Sequence, residues 1–149
     1  MRMTYRSLAF GAGLLALGFV GGALAADSGK AIVHWTLADL KWEARPGSPG
    51  MGAAAWTAAN GSHCDFVKFP KGFKEALHTH TADVSGVVLG GKFGSGEEGS
   101  APKLGGVGSY QFIPGGLKHT TECGADAECV VFICQPAAFD LVPVEAAKK

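Results

Sequence analysis

Glycine and proline divide this chain into short segments, and this punctuation constrains its fold more than any other feature. The 149 residues include 23 glycines and 7 prolines. The runs between them are apolar or β-branched, and none shows the 3.6-residue periodicity of an amphipathic helix. Short strands with turn signals about every eight to twelve residues are typical of a β-sandwich or a β-barrel. We therefore predict an all-β domain.

The predicted strands follow from these runs. They are 31–35, 41–43, 53–57, 65–69, 75–80, 84–89, 110–113, 129–134 and 139–144. Asn60-Gly61 is a strong signal for a hairpin turn, and we expect His63, which follows it, to be exposed. The segment 90–100 is rich in glycine, serine and glutamate, so we expect a flexible polar connection there.

The first 25 residues have the parts of a Sec-type signal peptide. Arg2 and Arg6 give a positive start, residues 8–20 form an apolar run without charge, and Ala23-Leu24-Ala25 is a small-x-small cleavage site. The alternative is an uncleaved anchor, but the run is short and rich in small residues for a membrane span. We predict a signal peptide over 1–25 and one periplasmic or secreted domain over 26–149. Any metal would then be acquired outside the cytoplasm.

The charge of the mature chain restricts its partners. Removal of Arg2 and Arg6 leaves 11 basic and 13 acidic residues, a net charge of −2, without a basic stripe. Nucleic-acid-binding domains normally carry a clustered positive surface, so we expect no nucleic acid partner, and no membrane partner after signal cleavage. A small molecule is the expected ligand or substrate. The sequence leaves open whether the domain is a monomer or a homodimer.

Two histidines near the middle of the chain are spaced to share a ligand. His78 and His80 flank Thr79 on a predicted strand. Residues i and i+2 of a strand point to the same face, about 6–7 Å apart at the backbone. Two imidazoles at this spacing can converge on one metal ion, although two histidines on a solvated strand face would show the same pattern.

A second segment, 108–119, carries a third histidine, and the two segments together resemble the motifs of the cupin superfamily. The first cupin motif is Gly, five residues, His-x-His, three or four residues, Glu, six residues, Gly. The second is Gly, five residues, Pro-x-Gly, two residues, His, three residues, Asn. The matching residues are Gly72, His78 and His80 in the first motif, and Gly108, Pro114, Gly116 and His119 in the second.

This resemblance covers about residues 66–131 and implies both a fold and a site. The implied fold is a single-domain antiparallel β-barrel of jelly-roll type. The implied site has His78, His80 and His119 as ligands of one metal. The Gly116 turn before the last ligand is expected to need a positive φ.

The chain departs from the cupin pattern at two positions. The family's Glu ligand would fall at Val84 or Ser85, and the final Asn of the second motif is Cys123. Asp83 is the candidate for a fourth ligand or a nearby base, but its short reach and its parity relative to His80 favour a site without it. Some cupin dioxygenases, the cysteine and acetylacetone types, bind iron through three histidines without Glu, and the ligand set here resembles theirs.

Four cysteines, Cys64, Cys123, Cys129 and Cys134, are expected to form disulfides. An even count in an exported chain favours disulfides, and three pairings are open. Cys123 and Cys129 flank a short turn, so we expect a bond between them across a hairpin, which leaves Cys64 and Cys134 for each other. In a competing interpretation, Cys123 lies near the metal as a thiolate.

The sequence leaves the metal and the activity open. Nitrogen ligands suit one divalent transition metal, Fe, Zn, Cu, Ni or Mn, better than calcium or magnesium. Loading after export favours zinc or copper, whereas the resemblance to dioxygenases favours iron(II). One hypothesis is a metal-dependent, dioxygenase-like enzyme acting on a small molecule. The other is a non-catalytic module that binds a metal or a small ligand, and the missing Glu favours it because that residue often serves as a base.

We expect the exported protein to begin near Ala26. The charge, apolar run and cleavage site of the first 25 residues direct removal at that point. Intact mass of the protein from the exported fraction measures the start of the chain directly. Recovery of the full N-terminal run in a membrane fraction would contradict the prediction.

Overall fold

The computed structural model describes residues 32–45 and 49–145. Within these ranges the chain forms ten strands: β1 (Glu43–Ala44), β2 (Met51–Thr57), β3 (His63–Phe69), β4 (Lys74–Thr79), β5 (Val84–Gly90), β6 (Phe93–Glu97), β7 (Tyr110–Ile113), β8 (His119–Cys123), β9 (Cys129–Gln135) and β10 (Val142–Pro143). A six-stranded sheet has the order β1-β2-β3-β9-β5-β7, and a four-stranded sheet has the order β10-β4-β8-β6. The described ranges contain no helix. The predicted all-β fold of jelly-roll type is therefore confirmed.

The predicted signal peptide, residues 1–25, lies outside the described residues, and so does its cleavage point. In the part of the chain that is described, no helix is long and apolar enough to cross a membrane. The prediction of an exported domain therefore stays a prediction.

The space between the sheets is polar at one end and apolar at the other. Strand alternation turns every second side chain inward, and the cavity-lining residues of β3 are, in order, His63, Asp65, Val67 and Phe69. Strand β9 runs antiparallel beside β3, with Gln135 opposite His63 and Cys129 opposite Phe69. The order of inward-facing residues along these two strands therefore sets the polarity of the barrel interior.

A packed apolar cluster closes one end. Its buried members are Val67, Phe69, Val88, Phe93, Cys123, Cys129 and Val131. The ring of Phe69 stacks between Phe73 and Phe93, with centroid distances of 4.8 and 5.1 Å. Full burial of each large apolar side chain contributes roughly 1.5–3 kcal/mol to folding. This cluster holds the two sheets together, so the other end can carry polar side chains.

The segment 90–100 is not the flexible connection that its composition predicts. Phe93–Glu97 forms β6, which pairs with β8. Its glycines are required by packing, because a Cβ added to Gly94 would lie 1.9 Å from the carbonyl oxygen of Lys103. Glycine marks a close approach of two backbones here, a role that composition alone cannot distinguish from a loop.

Two other expectations are wrong. Residues 32–35 form no strand, and Ile32 is 95% exposed, because a β-prone run needs a partner strand to pair with. His63 is buried rather than exposed, because the strand β3 already begins at this residue and turns its side chain inward. The predicted strands also omit β8, although it begins at His119, the histidine of the second motif.

Two disulfides, Cys64–Cys134 and Cys123–Cys129, involve all four cysteines. Cys64 and Cys134 face each other in the register of β3 and β9. Cys123 ends β8 and Cys129 begins β9, but these strands belong to different sheets. The second bond therefore links the two sheets instead of closing a hairpin, and a bonded Cys123 offers no thiolate to a metal.

We expect the Cys64–Cys134 bond to contribute more stability than the Cys123–Cys129 bond. Their sequence separations are 70 and 6, and the chain-entropy relation gives about 4 and about 2 kcal/mol for loops of these lengths. The double variant Cys64→Ser/Cys134→Ser should lose about 4 kcal/mol of unfolding free energy in denaturant titrations. Reductant added to that variant should remove only about 2 kcal/mol more. An oxidised variant as stable as wild type would contradict this assignment.

Candidate metal centre and ligand cavity

Three histidines meet at the polar end of the barrel. His78 on β4 lies opposite His119 on β8 in the strand register, and His80 follows just after β4. The ring centroids are 4.2 Å apart for His78 and His119, 5.0 Å for His78 and His80, and 5.4 Å for His80 and His119. One ring nitrogen of each residue lies within 4.8 Å of the other two. The structure thus brings together the three histidines that the cupin motifs point to.

The turn before His119 is fastened to the loop after His80. Gly116 has a φ of +76°, as expected from the sequence, and its N–H donates to the carbonyl oxygen of His80 at 2.8 Å. The N–H of Gly115 donates to the carboxylate of Asp83 at 2.8 Å. Asp83 is exposed and makes this turn contact outside the histidine group. That it is not a metal ligand stays a prediction, which is tested below.

A backbone carbonyl orients each of the three imidazoles. The Nδ1 atoms bond to the carbonyl oxygens of Ala76 for His78 (2.7 Å), Leu117 for His119 (2.9 Å) and Asp140 for His80 (2.5 Å). A carbonyl oxygen only accepts hydrogen bonds, so each Nδ1 carries a proton, and in the neutral ring the lone pair is on Nε2. The Nε2 atom of each ring is therefore the nitrogen that is available to a metal. The hydrogen bond at Nδ1 fixes the tautomer of the ring before any metal binds.

A C-terminal segment, residues 139–143, supplies the carbonyl that orients His80. Strand β10 pairs with β4 and holds this segment against the four-stranded sheet. The carboxylate of Asp140 accepts hydrogen bonds from the N–H of Thr81 at 3.0 Å and from the Thr81 hydroxyl. These contacts fix the residue whose backbone binds His80, so the C-terminal segment is a structural part of the site.

Burial keeps two of the imidazoles neutral. Loss of solvation lowers the pKa of His78 to about 4, although the hydrogen bond to Ala76 acts in the opposite direction. Loss of solvation also lowers the pKa of His119. Neighbouring imidazoles add to both shifts, because a positive charge nearby opposes protonation. Neutral imidazole is the form that coordinates metals.

Glu75 lines the same cavity as His78, although its spacing from His78 predicts that the two side chains point to opposite faces of the strand. On an unbroken strand, residues three apart point to opposite faces. The register of β4 shifts between these two residues, so that Glu75 pairs with Thr121 and His78 pairs with His119. This bulge lets both side chains face inward. Burial raises the pKa of the Glu75 carboxyl group, and His80 partly offsets that rise.

The wall of the cavity opposite the histidines is also polar. It includes Arg45, His63, Asp65 and Gln135, and the whole cavity has a volume of about 60 Å³. The Nδ1 atom of His63 bonds to the carbonyl oxygen of Gly61 at 3.0 Å, and its Nε2 atom lies 3.7 Å from Asp65 Oδ2. The Arg45 guanidinium lies 4.3 Å from the ring centre of Phe139, within the range of a cation–π contact.

Burial acts on both charged groups of this wall. Loss of solvation raises the pKa of the Asp65 carboxyl, and His63 and Arg45 oppose that rise. Loss of solvation lowers the pKa of the Arg45 guanidinium, and Asp65 opposes that fall. Each group therefore stabilises the charged form of the other in a poorly solvated place.

The cavity residues that sequence reasoning missed include Arg45, His63, Asp65, Glu75 and Gln135. His63 and Asp65 have the i, i+2 spacing that drew attention to His78 and His80, so the same signal could have found them. The bulge in β4 conceals Glu75, because no sequence pattern indicates a change of strand parity. Arg45 and Gln135 lie outside both motifs and reach the cavity only through the packing of the sheets.

The fold is similar to several solved structures. The polyketide cyclase RemF from Streptomyces resistomycificus has a TM-score of 0.62 and 17% identity, over 79% of this chain and 89% of that one. The cupin domain of Schizosaccharomyces pombe Cnp3 has a TM-score of 0.60 and 13% identity, over 74% and 76% of the two chains. The DMSP lyase DddQ from Ruegeria pomeroyi has a TM-score of 0.59 and 19% identity, over 75% of this chain and 64% of that one. Likeness at these identities establishes the cupin fold alone.

The family assignment comes from the sequence. No curated protein matches it. The family model described as a domain of unknown function, DUF4437, matches residues 30–149, a range that includes both histidine motifs. The protein therefore belongs to the DUF4437 family, and its structure has the cupin fold.

Proposed function

We propose that this protein is an exported, metal-dependent cupin enzyme that transforms a small molecule inside its barrel. The orientation of His78, His80 and His119 carries the proposal, because their Nδ1 atoms are bonded to carbonyls and their Nε2 atoms are free to bind one ion. Three neutral imidazoles fit a divalent transition metal, Fe, Zn, Cu, Ni or Mn. Once bound, such an ion would act as a Lewis acid with coordination positions left for a small ligand.

Glu75 supports the enzyme over a simple binding module. It places a carboxylate in the cavity that also contains the three histidines, and so supplies an acid–base group that the cupin motif comparison does not find. Its raised pKa moves the carboxyl group toward the range in which proton transfer is efficient at neutral pH. A positioned acid or base of this kind contributes about 10²–10⁴-fold to a rate.

A non-catalytic module that binds a metal or a small ligand is the second candidate. The observation in its favour is that no acidic residue stands where the cupin Glu ligand would fall, at Val84 or Ser85. The two disulfides agree with either candidate in an oxidising compartment. Oxygen uptake by iron-loaded protein separates the two functions. The protein is given a panel of 1,3-dicarbonyls, thiols and oxo acids, and only an enzyme consumes these compounds together with oxygen.

Metal content should depend on the three histidines and not on Asp83. Wild-type protein purified from its native compartment should hold about one transition-metal ion per chain, because one ion occupies the three-imidazole site. His80→Ala should lose it, because two imidazoles remain. Asp83→Asn and His63→Gln should keep wild-type stoichiometry in elemental analysis, the second as the matched control for a buried cavity histidine. Equal metal loss in His80→Ala and Asp83→Asn would overturn the three-histidine site.

Glu75→Gln should retain the metal but lower turnover by about 10²–10⁴-fold, because the amide cannot accept the proton. The readout is the initial rate with whichever member of the panel the wild type consumes, together with metal content of the same sample. Glu122→Gln is the matched control, because Glu122 lies on β8 and pairs with Lys74 at 3.3 Å. A Glu75→Gln protein with the wild-type rate would remove Glu75 from the reaction.

A further inference from the structure

Gln135 is a buried polar side chain that the protein leaves unpaired. It ends β9, lines the cavity and is 4% exposed. Among the described residues, its amide Nε2 is a buried side-chain atom without a hydrogen-bond partner. Buried polar groups of folded proteins are almost always paired. An unpaired amide donor on a residue that lines the cavity is therefore a candidate partner for an oxygen atom of a ligand.

The strands hold this amide in a defined position. Gln135 lies opposite His63 in the register of β3 and β9, and the adjacent pair in that register is the Cys64–Cys134 disulfide. His63 is itself held by the carbonyl oxygen of Gly61. Binding groups on cross-linked strands are placed more precisely than groups on loops.

The cavity has one wall with the three histidines and a facing wall with Gln135. The charge of each wall determines which kind of ligand atom it binds. Arg45 and Asp65 lie on the wall with Gln135, and their opposite charges offset each other. This wall therefore suits a neutral acceptor, such as a ketone oxygen, better than a carboxylate. The three histidines with a divalent ion would form a positive wall, which attracts an anionic oxygen.

We propose that Gln135 is a specificity-determining residue that binds the ketone oxygen of a small oxo-carboxylate whose carboxylate lies at the three histidines. The orientation of the carboxylate rests on the proposed function, whereas the contact with Gln135 does not. The cavity volume is about 60 Å³. A small ligand therefore fits this cavity better than a large one.

The test compares acetoacetate with butyrate, which has the same carbon chain and carboxylate but lacks the ketone. Calorimetric titration of zinc-loaded wild type should show acetoacetate binding about tenfold tighter or more, because butyrate leaves the buried amide unpaired. Gln135→Leu should abolish the difference between the two affinities, because the leucine side chain neither donates to the ketone of acetoacetate nor is left unpaired by butyrate. Gln135→Glu replaces the donor with an acceptor and should also abolish the preference.

Gln111→Leu is the matched control. Gln111 lines the same cavity, but its amide oxygen already accepts a hydrogen bond from the Ser95 hydroxyl at 3.3 Å. This variant should therefore keep the preference for acetoacetate. Metal content is measured in every sample, so that a loss of zinc is not read as a loss of the amide contact.

Several results would overturn the role of Gln135. Wild type that is indifferent to the ketone, or that binds neither probe at millimolar concentration, would reject this role without any variant having to fold. A preference retained in Gln135→Leu would also reject it. If the protein holds no metal, but the metal-free chain prefers acetoacetate and Gln135→Leu removes that preference, the proposed function fails while the role of Gln135 stands.

Discussion

Hydrogen bonds from imidazole Nδ1 atoms to backbone carbonyls determine what the cavity can bind. His63, His78 and His119 each bond to the carbonyl oxygen two residues earlier in the chain. In these three cases the neighbouring backbone fixes the tautomer, and no other side chain is required. His80 is different, because its partner is the carbonyl of Asp140, sixty residues away. The orientation of the histidine group is therefore local for His78 and His119 and depends on tertiary structure for His80.

The barrel has an apolar end and a polar end, and the stability of the apolar end offsets the cost of burying polar side chains at the other. The stacked phenylalanines and the Cys123–Cys129 bond hold the two sheets together at one end. Three imidazoles, a carboxyl group and an unpaired amide can then occupy the other end, where each would weaken a continuous apolar core. The Cys64–Cys134 bond lies at this polar end, next to His63 and Gln135, where apolar packing contributes least.

The sequence predicts the class of fold and the three histidines well, for identifiable reasons. Glycine and proline spacing reports strand length, and the two cupin motifs carry the turn at Gly116 and the register that brings His119 to His78. The sequence predicts β6 badly, because Gly94 is there for a backbone contact that composition cannot reveal. It predicts the second wall worst, because Gln135 becomes significant only when its unpaired amide is seen inside a cavity.

The C-terminal segment connects the two walls of the cavity. Its Asp140 carbonyl orients His80, and the neighbouring Phe139 ring lies against the Arg45 guanidinium of the opposite wall. Phe139 also packs near His80, with ring centroids 5.8 Å apart. A shift of these two residues would therefore move the His80 imidazole and a charge on the facing wall together. The hydrogen bond between Asp140 and Thr81 opposes such a shift, so it preserves the spacing between the histidines and the facing wall.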